Sequence, residues 1–248
     1  PAAAAGCQRV SLPTFHWWRT VFFLIPVIAI YTVVLGTLSL TSTFIDRRGY
    51  FAHRCARAWS WLILKTTGVS VEVHGTCPPA DRSVVFAANH QSTYDIPVLF
   101  WTITSQLRII AKASLGRFPF LGWHLQRAGH LLVDRDNPGA GVLKKMQRMI
   151  AQQASLIIFP EGTRSIDGVV GRFKGGVFLL AIDSQLPVVP VSVSGSRYVM
   201  QKGRLMTCPG HVRVTVHAPI ETAGMTRGDA RALSARVHEI VSAQVDHD

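Results

Sequence analysis

Residues 83–95 read Ser83-Val-Val-Phe-Ala-Ala-Asn-His-Gln-Ser-Thr-Tyr-Asp95, an apolar run that leads directly into a polar loop. The apolar part, residues 83–88, predicts a short buried strand, because it is uninterrupted and follows the turn-forming Pro78-Pro-Ala-Asp81. His90 then lies where the strand ends, a position at which rigid elements commonly hold functional side chains. We expect Asp95, one helical turn on, to accept a hydrogen bond from the imidazole and to fix which ring nitrogen stays free. The stretch therefore predicts a strand followed by an oriented base.

The spacing of His90 and Asp95 is by itself a weak signal. The chain has ten histidines, and only His90 is followed by an aspartate five positions later. The alternative is an aspartate that caps a helix beside a histidine whose hydrogen bonds are satisfied locally. The spacing alone leaves both interpretations open.

A second apolar run, residues 155–159, ends in the same way, in Phe159-Pro-Glu-Gly-Thr-Arg-Ser165. Gly162 allows a tight backbone path, and the planar guanidinium of Arg164 suits the oxygens of a phosphate. For any single cation the alternative is a solvated surface position. Several cations nevertheless end or follow apolar runs, which favours an anion site at one edge of a sheet. Besides Arg164, these cations are Lys112, Arg117, Arg135, Arg172 and Lys174.

The chain from residue 69 onward alternates strand-like and helix-like segments. Asn137-Pro138 predicts the start of a helix that runs to residue 153, and Thr226-Arg-Gly-Asp229 predicts a capping box before a helix to about residue 243. Alternation of this kind predicts an α/β fold in which helices flank a mostly parallel sheet. The strand candidates are residues 69–74, 83–88, 107–111, 130–133, 155–159, 188–193 and 212–217.

The N-terminal segment has a different character. Residues 21–40 carry no formal charge, and Trp17 and Trp18 precede them. A helix of this length spans about 30 Å, the thickness of the hydrocarbon core of a bilayer. Pro26 is expected to kink it. A cleaved signal peptide is disfavoured because the apolar region is too long, whereas a buried helix of a soluble protein stays an alternative.

A second, amphipathic helix is expected over residues 48–67, lying at the membrane interface. We therefore predict a membrane-anchoring two-helix motif in residues 1–68 and a catalytic domain in residues 69–248. The expected apolar face of the second helix consists of Phe51, Cys55, Trp59, Leu62 and Ile63, and the expected polar face of Arg47, Arg54, Arg57 and Lys65.

Composition points to an anionic partner at a membrane surface. The formal net charge is +12, and 48% of the residues are hydrophobic, which is high for a protein in solution. Nucleic acid is disfavoured as a partner because no basic run, zinc-finger spacing or aromatic RNA-binding motif occurs. The four cysteines form no Cys-x-x-Cys pair and no disulfide framework, which favours a reducing compartment.

Four ordered segments together resemble the motifs of the glycerolipid acyltransferases. They are residues 89–95, 132–135, 159–165 and 186–191, and residues 112–122 resemble the family's segment between its first two motifs. The resemblance runs from about residue 70 to 220. It implies that His90 is the general base and that Asp95 orients it, without a covalent acyl-enzyme. It further implies that the acceptor's phosphate and glycerol are bound by Lys112, Arg135, Glu161, Gly162, Thr163, Arg164 and Lys174, and that backbone N–H groups at residues 161–162 are candidates for stabilising the thioester oxyanion.

The same resemblance implies a reaction and a location. The expected acceptor is the free sn-2 hydroxyl of lysophosphatidic acid, and the expected acyl donor is acyl-coenzyme A or acyl-carrier protein, with no cofactor and no metal. The expected site is the cytoplasmic face of a membrane, with membrane lipids as partners. Insertion of both helices in one leaflet is favoured over a single crossing, which stays an alternative. The alternatives are a different lysophospholipid or a lyso-aminolipid as acceptor, and a non-catalytic module that binds anionic lipids.

Overall fold

A seven-stranded sheet forms the centre of the chain. The computed structural model describes residues 15–46, 48–117, 121–133 and 141–245. Each strand candidate coincides with an observed strand. The strands are β1 (Val69–Gly75), β2 (Val85–Ala88), β3 (Leu107–Lys112), β4 (Leu131–Val133), β5 (Ser155–Ile158), β6 (Val188–Ser194) and β7 (Gly210–Val216). The fully buried strands β2, β5 and β6 read as apolar runs, whereas valines alternate with polar residues in β1 and β7, which are partly exposed.

The strand order is β1-β7-β6-β2-β5-β3-β4, and the predicted mostly parallel sheet is confirmed. β2 lies between β5 and β6 and pairs with both in parallel, with Val85 opposite Leu156 and Val188. β6 and β7 pair antiparallel, so β1 and β7 run against the other strands. The carboxyl ends of β2, β5 and β6 therefore meet at one edge, and β1 and β7 begin at that same edge.

Helices cover both faces of the sheet. Alternate residues of β2 point to opposite sides, so that Val85 and Ala87 pack in one apolar cluster and Phe86 and Ala88 in the other. The capping box at Thr226 and Asp229 is confirmed, whereas the expected cap at residues 137–138 lies outside the described residues. The helices after the N-terminal one are α3 (Tyr50–Thr67), α4 (Asp95–Thr102), α5 (Leu121–Arg127), α6 (Gly141–Ala151), α7 (Leu179–Asp183), α8 (Ser196–Val199) and α9 (Ala230–Ser242).

The N-terminal helix runs from Phe15 to Ser42 and consists of α1 (Phe15–Trp18), a π-helical segment (Arg19–Leu24) and α2 (Ile25–Ser42). The wider π-helical turns come directly before Pro26, whose ring and missing N–H disrupt regular α-helical bonding. In the described part of the chain this helix alone is long and apolar enough to cross a membrane, with a mean hydropathy of 2.5. Its large side chains are mostly exposed, Ile30 at 66% and Val33 at 68%, which argues against the alternative of a buried helix.

The structure corrects the expected polar face of α3 at Arg57. On the expected apolar face, Phe51 is 45% exposed and Trp59 is partly buried, so the place of that face at a membrane interface stays a prediction. Arg57 was expected on the polar face, yet its Nη1 donates hydrogen bonds to the carbonyl oxygens of Phe100 (3.2 Å) and Ile103 (2.7 Å), at the end of α4. The reason is that α3 packs against α4, so its inner face must also satisfy the last carbonyl groups of that helix.

Candidate active site

His90 and Asp95 form a hydrogen-bonded pair at the carboxyl end of β2. The Nδ1 atom of His90 lies 2.7 Å from Oδ2 of Asp95, which is fully buried as the first residue of α4. The same oxygen accepts the backbone N–H groups of Gln91 (2.8 Å) and Ser92 (2.9 Å). Since a carboxylate accepts hydrogen bonds, the proton of a neutral imidazole lies on Nδ1, which leaves Nε2 able to take a proton.

The imidazole of His90 is only partly accessible. Its side chain is 16% exposed and stacks on the ring of Phe159, with centroids 4.1 Å apart and planes 22° apart. Phe159 follows β5, so the two apolar runs identified in the sequence meet at the histidine. Stacking and the bond to Asp95 together fix the ring's orientation.

The backbone of His90 is hydrogen-bonded to the loop that follows β5, which carries Glu161 and Ser165. Its N–H donates to Oε1 of Glu161 (2.7 Å), and its carbonyl accepts the N–H of Ser165 (2.7 Å). The second carboxylate oxygen of Glu161 accepts the N–H of Gly171 (3.0 Å). Burial raises the pKa of Glu161, while these two backbone hydrogen bonds act in the opposite direction. The carboxylate therefore holds the His90 loop, and its expected place beside the glycerol stays a prediction.

Asn89 joins the ends of two strands and was not singled out in the sequence. Its fully buried side chain donates to the carbonyl oxygen of Val193 (2.8 Å) and accepts the N–H of the same residue (2.7 Å). This pair ties the end of β2 to β6. It keeps the backbone that carries His90 from moving relative to the sheet.

The expected phosphate-binding cations come to the same edge. Nη1 of Arg164 donates to Oγ1 of Thr93 (2.7 Å), in the loop between His90 and Asp95. Gly162 has a left-handed backbone with φ +75°, and a β-carbon there would lie 3.1 Å from Nζ of Lys174. Arg164 thus contacts the loop that carries the base, and Lys174 lies beside Gly162 in the loop after β5.

The other residues expected to bind the phosphate are described only in part by the structure. Lys112 is the last residue of β3 and so ends at this edge, but its side chain and the whole of Arg135 lie outside the described residues. The N–H of Gly162 donates to the carbonyl oxygen of Phe159 (3.0 Å), and the role of the backbone N–H groups at residues 161–162 toward an oxyanion stays a prediction. Among the described residues no group of three His, Cys, Asp or Glu side chains is placed to hold a metal ion.

Lys202 reaches the site from outside every motif. Its Nζ donates to Oγ1 of Thr163 (3.0 Å) and to the carbonyl oxygen of Arg164 (2.8 Å). Its sequence neighbourhood, Gln201-Lys-Gly-Arg204, is typical of a surface turn and gave no indication of a site.

Comparisons with known proteins show the family of the chain. The family model described as Acyltransferase matches residues 70–194, just over half of the chain. The 1-acyl-sn-glycerol-3-phosphate acyltransferase of Arabidopsis thaliana, a chloroplastic protein, is 33% identical over 177 residues, 70% of this chain and 49% of that protein. The alpha form from Mus musculus is 33% identical over 176 residues, 68% of this chain and 61% of its own. The chain thus spans about half to two thirds of the length of these curated relatives.

A solved structure is similar over nearly the whole chain. The crystal structure of the 1-acyl-sn-glycerophosphate acyltransferase PlsC from Thermotoga maritima matches with a TM-score of 0.77 and 28% sequence identity. The match covers 92% of this chain and 93% of the other. The likeness therefore includes the N-terminal helix as well as the sheet.

Proposed function

The chain belongs to the acyltransferase family, and on that premise we propose that it transfers an acyl chain from a thioester to the free sn-2 hydroxyl of 1-acyl-glycerol-3-phosphate, forming phosphatidic acid. The observation that carries the proposal is the His90–Asp95 pair beside Arg164 and Lys174 at one edge of the sheet. An oriented base next to cations suits an acceptor that has both a hydroxyl and a phosphate.

The proposed reaction begins at Nε2 of His90, which removes the proton of the acceptor hydroxyl as its oxygen attacks the thioester carbonyl carbon. The C–O bond forms, the C–S bond breaks, and the leaving thiolate takes the proton from the imidazolium. Asp95 stabilises the imidazolium through the 2.7 Å contact at Nδ1. General base catalysis of this kind is worth on the order of 10²–10⁴ in rate.

Phosphate binding supplies the second contribution. We assign it to Arg164 and Lys174, and on the family resemblance also to Lys112 and Arg135, with Glu161, Gly162 and Thr163 around the glycerol. A phosphate held by these groups would place the hydroxyl at His90. Fixing two reactants in this way can contribute roughly 7–11 kcal/mol.

The N-terminal helix supports a location at a membrane. Its exposed apolar side chains and the +12 net charge fit a surface of anionic lipids. We propose that residues 1–68 anchor the chain, that residues 69–248 form the catalytic domain on the cytoplasmic face, and that the donor is acyl-coenzyme A or acyl-carrier protein.

The test is thioester-dependent acylation in phospholipid vesicles, with both donor types supplied. Wild type is compared with His90→Ala and with the control His74→Ala, which alters an exposed histidine on β1. Lysophosphatidic acid is assayed beside other lysophospholipids and a lyso-aminolipid. Phosphatidic acid made by wild type and His74→Ala but not by His90→Ala supports the proposal.

Other outcomes decide between the alternatives. Product from another lysolipid alone would retain the chemistry and change the acceptor. No product from any acceptor, with folded protein that binds anionic vesicles, would favour a lipid-binding module. Equal rates for His90→Ala and wild type would remove His90 as the base.

A further inference from the structure

The segment between β6 and β7, residues 195–209, lies outside all four motifs. It nevertheless contacts both loops of the active site, which are the His90 loop after β2 and the loop after β5 that carries Glu161 and Arg164. We propose that its Lys202 is a positioning residue for the acceptor: it binds the side-chain hydroxyl of Thr163 and the carbonyl oxygen of Arg164, so that the Arg164 guanidinium is held in place for the phosphate. The inference rests on the proposed function and assigns to it a residue that the family resemblance does not supply.

Local sequence explains how Lys202 is presented. The N–H of Arg204 donates to the carbonyl oxygen of Gln201 (3.2 Å), which closes a four-residue turn. Gly203, the third residue of the turn, has φ +82°, a left-handed conformation that glycine adopts without a steric penalty. Lys202 is the second residue, and its half-buried side chain extends to the Arg164 loop.

The turn is held in place on both sides. Oγ of the fully buried Ser92 donates to the carbonyl oxygen of Met200 (2.7 Å), which joins the segment to the His90 loop. Arg197 donates to the carbonyl oxygen of Asp167, beyond Arg164 in the second loop. The turn that carries Lys202 is therefore itself hydrogen-bonded to both loops of the site. The position of Lys202 does not depend on its own two hydrogen bonds alone.

Arg164 is consequently fixed at both ends. Lys202 binds its carbonyl oxygen (2.8 Å), and Thr93 binds its guanidinium (2.7 Å). Ordering both the loop backbone and the side chain of Arg164 only when the phosphate binds would cost affinity. Fixing the backbone in advance removes part of that cost. The effect of Lys202 should therefore depend on the presence of the Arg164 side chain.

The experiment measures KM for lysophosphatidic acid and kcat in vesicles for wild type, Lys202→Met, Lys202→Arg, Arg164→Ala and the double variant Lys202→Met/Arg164→Ala. Lys145→Met, which alters an exposed lysine on α6, is the matched control. We expect Lys202→Met to raise KM about five- to tenfold with kcat within about twofold, since a half-buried hydrogen bond from a charged donor has an effect of that order. Lys202→Arg keeps the charge and should restore most of the affinity.

The double variant separates positioning from direct phosphate binding. If Lys202 acts through Arg164, its removal from Arg164→Ala should change KM less than about twofold, because interacting residues are not additive. Multiplied effects would mean that Lys202 binds the phosphate independently and would overturn the inference. An unchanged KM in Lys202→Met would also overturn it, and so would a fall in thermal unfolding midpoint that by itself explains a loss of kcat.

Failure of the proposed function gives a different result. In that case wild type itself acylates no lysolipid, and the positioning role falls together with the activity. Wild-type turnover with unaltered Lys202→Met kinetics would contradict only the role of Lys202.

Discussion

Replacing Asp95 with asparagine removes the negative charge beside His90 while keeping an oxygen where the hydrogen bonds are accepted. Oδ2 accepts His90 Nδ1–H and two backbone N–H groups, whereas the buried Oδ1 has no hydrogen-bond partner among the described residues. The asparagine oxygen should take the place of Oδ2, since an NH₂ group there would face three donors. The geometry of His90 is then retained and the charge is lost.

The magnitude follows from the contact. Two unit charges about 4 Å apart interact by about 4 kcal/mol at an effective dielectric constant of about 20. The imidazolium forms only as the proton is transferred, so this energy stabilises the transition state and not the bound substrate. Each ~1.4 kcal/mol is a factor of ten in rate, so kcat should fall about a thousandfold. KM for the acceptor should stay within a few-fold of wild type, because Asp95 is fully buried and its hydrogen bonds go to His90, Gln91 and Ser92.

The assay compares initial rates of phosphatidic acid formation by wild type, Asp95→Asn and the control Asp81→Asn, which changes an exposed carboxylate in the turn before β2. An NH₂ group at the buried Oδ1 position costs about 1–3 kcal/mol of folding free energy. Unfolding by urea is therefore measured in parallel, and rates are compared only where every protein is folded. A folded Asp95→Asn enzyme with kcat within tenfold of wild type would refute the role assigned to the charge.

Three further perturbations test the Glu161 carboxylate, the Gly162 backbone and the N-terminal helix. Burial raises the pKa of Glu161 above its ordinary 4.5, so the folded state binds this proton more tightly than the unfolded state does. The unfolding free energy of wild type relative to Glu161→Gln should therefore be highest below about pH 4.5 and fall as the pH rises towards 7. Urea titrations in which this difference rose with pH would contradict the shift. Gly162→Ala and Gly224→Ala should each lose about 1–3 kcal/mol of stability to left-handed backbone strain, but only Gly162→Ala, whose β-carbon would lie 3.1 Å from Lys174 Nζ, should also raise the acceptor KM. Ile30→Asp, at a 66% exposed position, should weaken vesicle binding about a hundredfold, because a charge in hydrocarbon costs roughly 2.5–3.5 kcal/mol. Unchanged flotation of this variant with vesicles would contradict membrane insertion.

Local patterns predicted much of this structure. Strands β2, β5 and β6 were found because each is a buried run, and β1 and β7 because valines alternate with polar residues along them. The His90–Asp95 pair was found because its partners are one turn apart. The partners of these residues are remote in sequence: Glu161 lies 71 residues from His90, and Val193 lies 104 residues from Asn89. Only the order of the sheet, with β2 between β5 and β6, brings them together, and spacing along a chain does not reveal that order.

The dependence on partners remote in sequence also explains the correction at Arg57. The helical periodicity of α3 assigned Arg57 to a polar face, but a periodicity describes one helix and not the helix packed against it. The buried carbonyl groups at the end of α4 require donors, and Arg57 supplies them. Likewise the N–H of Gly162 donates to the carbonyl oxygen of Phe159, a contact within the turn that the residue type alone does not reveal.

Thr207 joins the N-terminal helix to the catalytic edge. Nη2 of Arg19 donates to its carbonyl oxygen (3.3 Å), and Oγ1 of Thr20 accepts its N–H (3.0 Å). The hydroxyl of Tyr94, which directly precedes Asp95, donates to Oγ1 of Thr207 (3.4 Å). The amino-terminal end of the apolar helix is therefore held at the same edge of the sheet as the base. On the proposed function, a lysolipid whose acyl chain stays among the lipids around this helix would present its hydroxyl close to His90, so anchoring the protein would also bring the base within reach of its substrate.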